Sequence, residues 1–237
     1  MRNGLSRLNK VPFFHYTFLD NIDSIISEEQ VRSRFCLERL KKSFEDISID
    51  PQQPVRRHKG LDKYIPLFAG FYTLYRGYKL NGYLNRNYDN PKVQNPSFYG
   101  SFNETLRHKL GEDYEKVITL LVKERLVYNF ADDDKVRLFS NIAVKPDSIE
   151  YPVKSQQQLR SKIGECISES NVYCEVDLFD DCKESIKFPS DIEAIIVDNV
   201  RVLEETSRKL EDFGPRKNEL LLCVSQLPRG RVSTNCF

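Results

Sequence analysis

The sequence predicts an α+β fold. Two observations carry this: six or seven short apolar runs of strand type are spread along the 237 residues, and the runs with helical spacing gather near the start and the end. A parallel sheet would need a long crossover, usually a helix, between successive strands, and no such alternation is present. A chain of this length can bury one substantial core, so a single domain over residues 1–237 is expected.

Taken in order, residues 11–17 form an apolar and aromatic run that reads as the first strand. Asp20, with Asp23 three residues on, suits a helix start, and Ile22, Ile25 and Ile26 mark one helical face. A second amphipathic helix is expected over 28–44. Asp50-Pro51-Gln52-Gln53-Pro54 then breaks the periodicity and opens a loop carrying Arg56, Arg57 and His58. Residues 64–68, Tyr-Ile-Pro-Leu-Phe, read as a strand or strand edge, since proline is not expected mid-sheet. Residues 72–99, in which Tyr72, Tyr75 and Arg76 belong to a tyrosine, asparagine and basic mixture, read as loop. Strands follow at 117–122 and 126–128, a short helix at 134–142 and a polar stretch at 154–160. Strands at 172–179 and 192–197, a helix at 204–213 ended by Gly214-Pro215, and a strand at 219–224 complete the chain.

With 40% hydrophobic and 30% charged residues, and no apolar stretch near the roughly 18 residues that span a bilayer, the chain reads as soluble, unexported and cytoplasmic, with no membrane partner. Its six cysteines show no CxxC pair and no repeating interval, so neither a zinc site nor a disulfide framework is expected and all six read as reduced. The net charge of +1 conceals an asymmetry. Residues 51–110 carry ten Lys/Arg against three Asp/Glu, and residues 165–205 carry three against twelve. A basic segment can meet phosphates, but charge alone also fits a solvated face.

Two runs place polar residues inside strands. In His15-Tyr16-Thr17 the alternation puts the imidazole and hydroxyl on one side and the tyrosine on the other, a pairing suited to ribose hydroxyls and a carboxamide. A single histidine in an apolar run equally fits a hydrogen-bonded core residue. Glu175 alternates with Tyr173 and Asp177, which fits either the solvent face of an edge strand or a functional face. Glu175, Asp177, Asp180 and Asp181 would also suit Mg²⁺ in a nuclease, although no lysine accompanies them in an obvious strand position. Ten glycines include no G-x-G-x-x-G, which argues against a Rossmann dinucleotide site.

The ordered set of His15-x-Thr17 with Asp20-Asn21-Ile22, residues 64–68 leading to Leu74-Tyr75, Glu175-Val176-Asp177-Leu178, and Phe188-Pro189-Ser190-Asp191-Ile192 resembles the DarT family. Those are NAD-dependent ADP-ribosyltransferase toxins that modify nucleic-acid bases. The resemblance spans about residues 11–200 and implies an ADP-ribosyltransferase-like fold, a central split sheet with flanking helices. It implies NAD as the substrate cofactor and no metal. Glu175 would be the catalytic glutamate; Arg56 or Arg57 falls near the family's catalytic arginine, with Arg57 assigned to catalysis and Arg56 to the cofactor. His15, Tyr16, Thr17, Asn21, Phe68 and Tyr75 would hold NAD, Phe68 standing where the family has a tyrosine that stacks on nicotinamide. Tyr72, Arg76, Arg160 and Tyr173 would meet single-stranded nucleic acid, DNA first and RNA as the nearest variant, because stacking on aromatic side chains needs unpaired bases. A toxin of this kind implies a neutralising antitoxin, in such families often a macrodomain. The chain departs from the family at Asn129-Phe130, where a threonine-aspartate is usual, and at Cys174, where alanine is usual. A binding module that keeps the scaffold without catalysis, and a transferase directed at protein, are the competing readings.

Overall fold

The computed structural model describes residues 13–46, 52–70, 110–139, 148–168, 173–183, 185–197 and 200–223. Its strands are β1 (Phe13–Phe18), β2 (Gln30–Val31), β3 (Tyr64–Gly70), β4 (Val117–Val122), β5 (Val136–Phe139), β6 (Glu150–Tyr151), β7 (Tyr173–Phe179), β8 (Ile186–Lys187), β9 (Ile192–Val197) and β10 (Leu221–Cys223). Its helices are α1 (Ile22–Glu28), α2 (Arg34–Arg39), α3 (Gln52–His58), α4 (Glu124–Asp132), α5 (Gln156–Ser168), α6 (Val200–Lys209) and α7 (Arg216–Leu220). Eight strands form one sheet in the order β10-β9-β4-β1-β3-β7-β5-β6, and β2 pairs with β8 apart from it. Only β9 and β10 run parallel among the described pairs. The expected α+β class and split central sheet are both present.

The split has a local chemical cause. β1 pairs with β4 along its whole length, from Phe13↔Val122 to Phe18↔Val117, and β3 pairs with β7 from Tyr64↔Phe179 to Gly70↔Tyr173. Between these halves β1 and β3 meet only at Phe13↔Ala69 and Phe14↔Phe68. From residue 15 onward the halves part. The Pro66 carbonyl accepts a hydrogen bond from His15 Nδ1 at 3.0 Å, a side chain standing where a backbone N–H would stand. A strand residue's nitrogen and carbonyl point to the same edge, so the donor that Pro66 lacks would also have faced the opening. That is how a proline sits in an internal strand.

One face of the sheet packs the main core. Ile65, Leu67 and Ala69 of β3 and Cys174, Val176 and Leu178 of β7 are buried with Val127 and Ala131 of α4 and Leu159 and Ile163 of α5. Each such large side chain contributes about 1.5–3 kcal/mol through burial. Across the β1–β4–β9 half, Phe14, Tyr16, Phe18, Leu121 and Ile196 make a second cluster. No helix among the described residues is long and apolar enough to cross a membrane.

Several elements differ from expectation. The helix expected over 28–44 is interrupted because Glu29 takes φ +55°, which ends α1, and β2 intervenes before Ser33 caps α2 through its Oγ and the Cys36 N–H at 3.3 Å. Residues 52–58, expected as loop, form α3. Pro54 lies in its first turn, where an N–H has no intrahelical partner anyway. Residues 126–128, expected as strand, lie in α4, whose Val127, Tyr128, Phe130 and Ala131 are buried while Arg125 and Asn129 are exposed. Residues 136–139, expected as helix, are strand β5; Asp134 at φ +59° turns the chain out of α4, and residues 140–142 lie outside the described set. The polar stretch 154–160 opens α5. The reduced-cysteine expectation also fails in one place, since Cys36 and Cys182 form a disulfide across a sequence separation of 146.

Candidate active site

The opening between the two half-sheets leads into a cleft lined by His15, Tyr16 and Thr17 of β1, Pro66 and Phe68 of β3, and Glu175 of β7. Strand alternation places Glu175 and Asp177 on the face of β7 opposite its apolar core, and their β3 neighbours in register are Phe68 and Pro66. That face is not solvent. Val55 of α3, with Leu61, Tyr64 and Phe139, closes over it, leaving Glu175 2% and Asp177 0% exposed. Gly60 makes the connection: at φ +69° it ends α3 and turns the chain toward β3, a conformation that costs a residue with a Cβ.

α3 thereby delivers Arg56 onto two carboxyls. Its Nη1 donates to Glu175 Oε1, and its Nη2 donates to Asp177 Oδ1 at 3.1 Å and to the Leu61 carbonyl at 3.4 Å. Burial opposes the Arg56 charge, yet Asp177 and then Glu175 more than offset it, so the guanidinium holds its proton more firmly than usual. Glu175 is pushed the other way. Burial raises its pKa well above the ordinary carboxyl value, the Asp177 charge adds to this, and Arg56 only partly counters it.

His15 is partly buried, and burial is the main cause of its lowered pKa, with the Arg56 charge adding to the shift. A neutral ring donating from Nδ1 to Pro66 leaves Nε2 as an acceptor. Thr17 Oγ1 accepts from Asn21 Nδ2 at 3.0 Å, which frees its own O–H to donate. Asn21 is otherwise engaged with Glu45, giving Nδ2 to its carbonyl and taking its N–H on Oδ1, both at 2.8 Å, so it pins the 44–46 wall of the cleft. Tyr16 and Phe68 stack with ring centroids 4.9 Å apart at 27°.

The structure thus gathers His15, Tyr16, Thr17, Asn21, Arg56, Phe68 and Glu175 around one cleft. Arg57 also lines it but is 55% exposed and pairs with Glu38 at 2.9 Å; its sequence neighbour Arg56 is the arginine bonded to Glu175. Arg160 is not in the cleft. It stands on α5, 3.9 Å over the Tyr128 ring and 3.7 Å from Glu124. Tyr173 opens β7, and Tyr72, Tyr75 and Arg76 lie outside the described residues. The four carboxylates considered for Mg²⁺ do not converge: Glu175 and Asp177 hold Arg56, Asp180 accepts from the Ser33 and Cys182 N–H groups, and Asp181 accepts from the Lys183 N–H. Asp177 is the site residue that sequence reasoning did not assign to this chemistry. Its i+2 spacing from Glu175 was the available signal.

No family model matches the sequence, and no curated protein matches it. Solved structures do. Thermus sp. 2.9 DarT in complex with ADP-ribosylated ssDNA superposes with a TM-score of 0.58 at 15% identity, over 90% of this chain and 93% of that one. The same DarT in complex with NAD⁺ gives 0.53 at 15% identity, again over 90% and 93%. Thermosipho africanus DarTG in complex with ADP-ribose gives 0.52 at 12% identity, over 90% of this chain and 49% of that one. The chain has a DarT-like ADP-ribosyltransferase fold.

Proposed function

We propose that this protein is an NAD-dependent ADP-ribosyltransferase that acts on a base of single-stranded nucleic acid, DNA in the first instance. The observation that supports it most is a buried glutamate, Glu175, bonded to Arg56 at the floor of a cleft that also contains a neutral His15 with a free acceptor. NAD enters as substrate. His15 Nε2 and the Thr17 hydroxyl suit the nicotinamide ribose and carboxamide, and the Phe68 ring, where it lines the cleft, suits the nicotinamide ring.

The reaction follows from these parts. The bond between ribose C1′ and the nicotinamide nitrogen breaks, its electron pair leaves with neutral nicotinamide, and positive charge develops on the ribose. Ionised Glu175, accepting a hydrogen bond from the 2′-hydroxyl, stabilises that charge where it forms. A base nitrogen then bonds to C1′ and gives up its proton, for which Glu175 is the nearby acceptor. The products are ADP-ribosylated base, nicotinamide and one proton. The neighbours' complexes with NAD⁺ and with ADP-ribosylated ssDNA support the choice of donor and acceptor. The likeness to a DarTG chain supports a neutralising antitoxin, for which a macrodomain is the proposed type.

Nicotinamide release from NAD, measured with single-stranded DNA, RNA and a protein extract offered separately, tests the reading. Release stimulated by single-stranded DNA with mass gain on the strand is expected. Stimulation by protein alone would reject the nucleic-acid acceptor, and strand binding with no NAD consumption would reject the enzyme.

A further inference from the structure

The cleft uses two carboxyls on one face of β7, yet only Glu175 reaches it. Asp177 is fully buried and does not line the cleft. Its Oδ1 takes one arm of Arg56 at 3.1 Å, while its Oδ2 is buried with no hydrogen-bond partner among the described residues. A carboxylate oxygen in that position costs heavily if it stays ionised and unpaired. The nearby cations do not supply the missing partner. Arg137, opposite Asp177 on β5, donates Nη1 to the Lys59 carbonyl at 3.0 Å, pairs through Nε with Glu150 at 3.2 Å, and lies over the Tyr64 ring. His15, across the opening, is held neutral. One guanidinium therefore serves two buried carboxyls, and the group carries an uncompensated negative charge unless it also holds a proton.

We propose that Asp177 is a positioning residue of this site: by fixing one arm of Arg56 it holds the other on Glu175 Oε1, and from the same face of β7 its carboxyl acts on Glu175. Glu175 is thereby oriented with Oε1 taken and Oε2 left for the ligand. The raised pKa of Glu175, with Asp177 among its causes after burial, is in accord with that action. In the reaction, ionised Glu175 meets the ribose hydroxyl, and the proton released by the acceptor base passes to Glu175 and on to solvent as the product leaves. No oxidant or further reactant is involved. The assignment rests on the site reading above, with Glu175 as the residue facing substrate.

The test has two arms. In the first, ¹³C NMR follows the Glu175 carboxyl resonance against pH in the unaltered protein and in Asp177→Asn, with Glu175→Gln used to assign it. Its midpoint is expected to fall by about one pH unit in Asp177→Asn; an unmoved midpoint would overturn the proposal. This arm needs no activity, so it stands even if the proposed reaction fails. In the second, pH–rate profiles are compared for the unaltered protein and Asp177→Asn. Losing the Asp177 charge should move the acid limb of kcat about one pH unit lower and reduce kcat about tenfold, with KM for NAD within about twofold. A fall in rate with the acid limb unmoved would overturn the proposal in favour of a purely structural Asp177. Should Asp177→Asn fail to fold, the same two measurements on Asp177→Ser decide it.

Discussion

Arg56 and Arg57 are adjacent and identically charged, and the fold gives them different work. Arg56 is buried between Glu175 and Asp177, whereas Arg57 is 55% exposed beside Glu38. Removing one partner of a buried ion pair typically costs about 3–5 kcal/mol, because the remaining charge is left without compensation. Arg56→Ala is therefore expected to lower unfolding free energy by about that amount in a denaturant titration, and Arg57→Ala by no more than about 0.5 kcal/mol. Arg56→Lys, which cannot span both carboxyls with a planar fork, should reduce transfer more than 100-fold, against a few-fold for Arg57→Lys. The sequence could not separate the two, since a 100° step around a helix decides which one faces the sheet and residues 52–58 did not look helical.

Glu175 also carries a stability signature. Its folded pKa lies above the ordinary carboxyl value, so between those two values the folded state binds more protons than the unfolded one. Its contribution is fully present below the ordinary value and is lost as pH rises through the folded one. Glu28 and Glu38 have lowered values and act in the opposite sense, so the comparison must be with a variant. The melting temperature of the unaltered protein relative to Glu175→Gln is expected to fall as pH rises from about 4.5, the carboxyl reference, toward neutrality. Parallel curves would mean that Glu175 titrates as it does in water. Alternation along 173–179 correctly put Glu175 and Asp177 on one face; what it could not show is that α3 covers that face, which turns an edge-strand reading into a buried pair.

At the level of elements, local pattern served where burial was one-sided and failed where a distant segment decided the outcome. β1, β4, β7 and β9 were legible because apolar runs bounded by polar turns admit few other readings. α4 and β5 were exchanged, since three consecutive apolar residues carry no period and three aspartates mask the turn between the elements. Pro54 concealed α3, and Pro66 pointed to an edge that is in fact an internal opening. The Cys36–Cys182 disulfide was invisible for the plainest reason, 146 residues of separation. It ties α2 to the segment following β7, beside the Ser33–Asp180 hydrogen bond at 2.6 Å. Closing a loop of that length stabilises by up to about 5 kcal/mol in the chain-entropy model, and measured values are commonly 2–4. Cys182→Ser should therefore unfold at lower denaturant than the oxidised parent and close to the parent held in dithiothreitol. No difference between oxidised parent and variant would show that the bond is absent or without effect.

At the scale of the molecule, the proposed function depends on two half-sheets that meet at two residue pairs and then part. The main core runs behind both halves, from Phe13, Ile118 and Ile195 to Leu67 and Val176, while Phe14, Tyr16 and Phe18 add a second cluster in the β1 half, and the candidate site residues line the gap. Such an opening lets His15 and Glu175 approach a ligand from opposite sides without either leaving a regular strand. The ordered motifs anticipated this architecture in a chain only 12–16% identical to its structural neighbours. Acceptor recognition was less legible. Arg160 is committed to Tyr128 and Glu124, and the tyrosine-rich 72–99 stretch falls outside the described residues.

The most direct test of the central claim is transfer of label from ³²P-NAD to single-stranded DNA by the unaltered protein and by Glu175→Gln at equal concentration, with circular dichroism of both. Label on the strand that falls at least 100-fold in a folded Glu175→Gln protein is the expected result. Undiminished labelling by the folded variant would contradict the assignment of Glu175, and no labelling of DNA, RNA or protein by the unaltered protein would contradict the transferase itself.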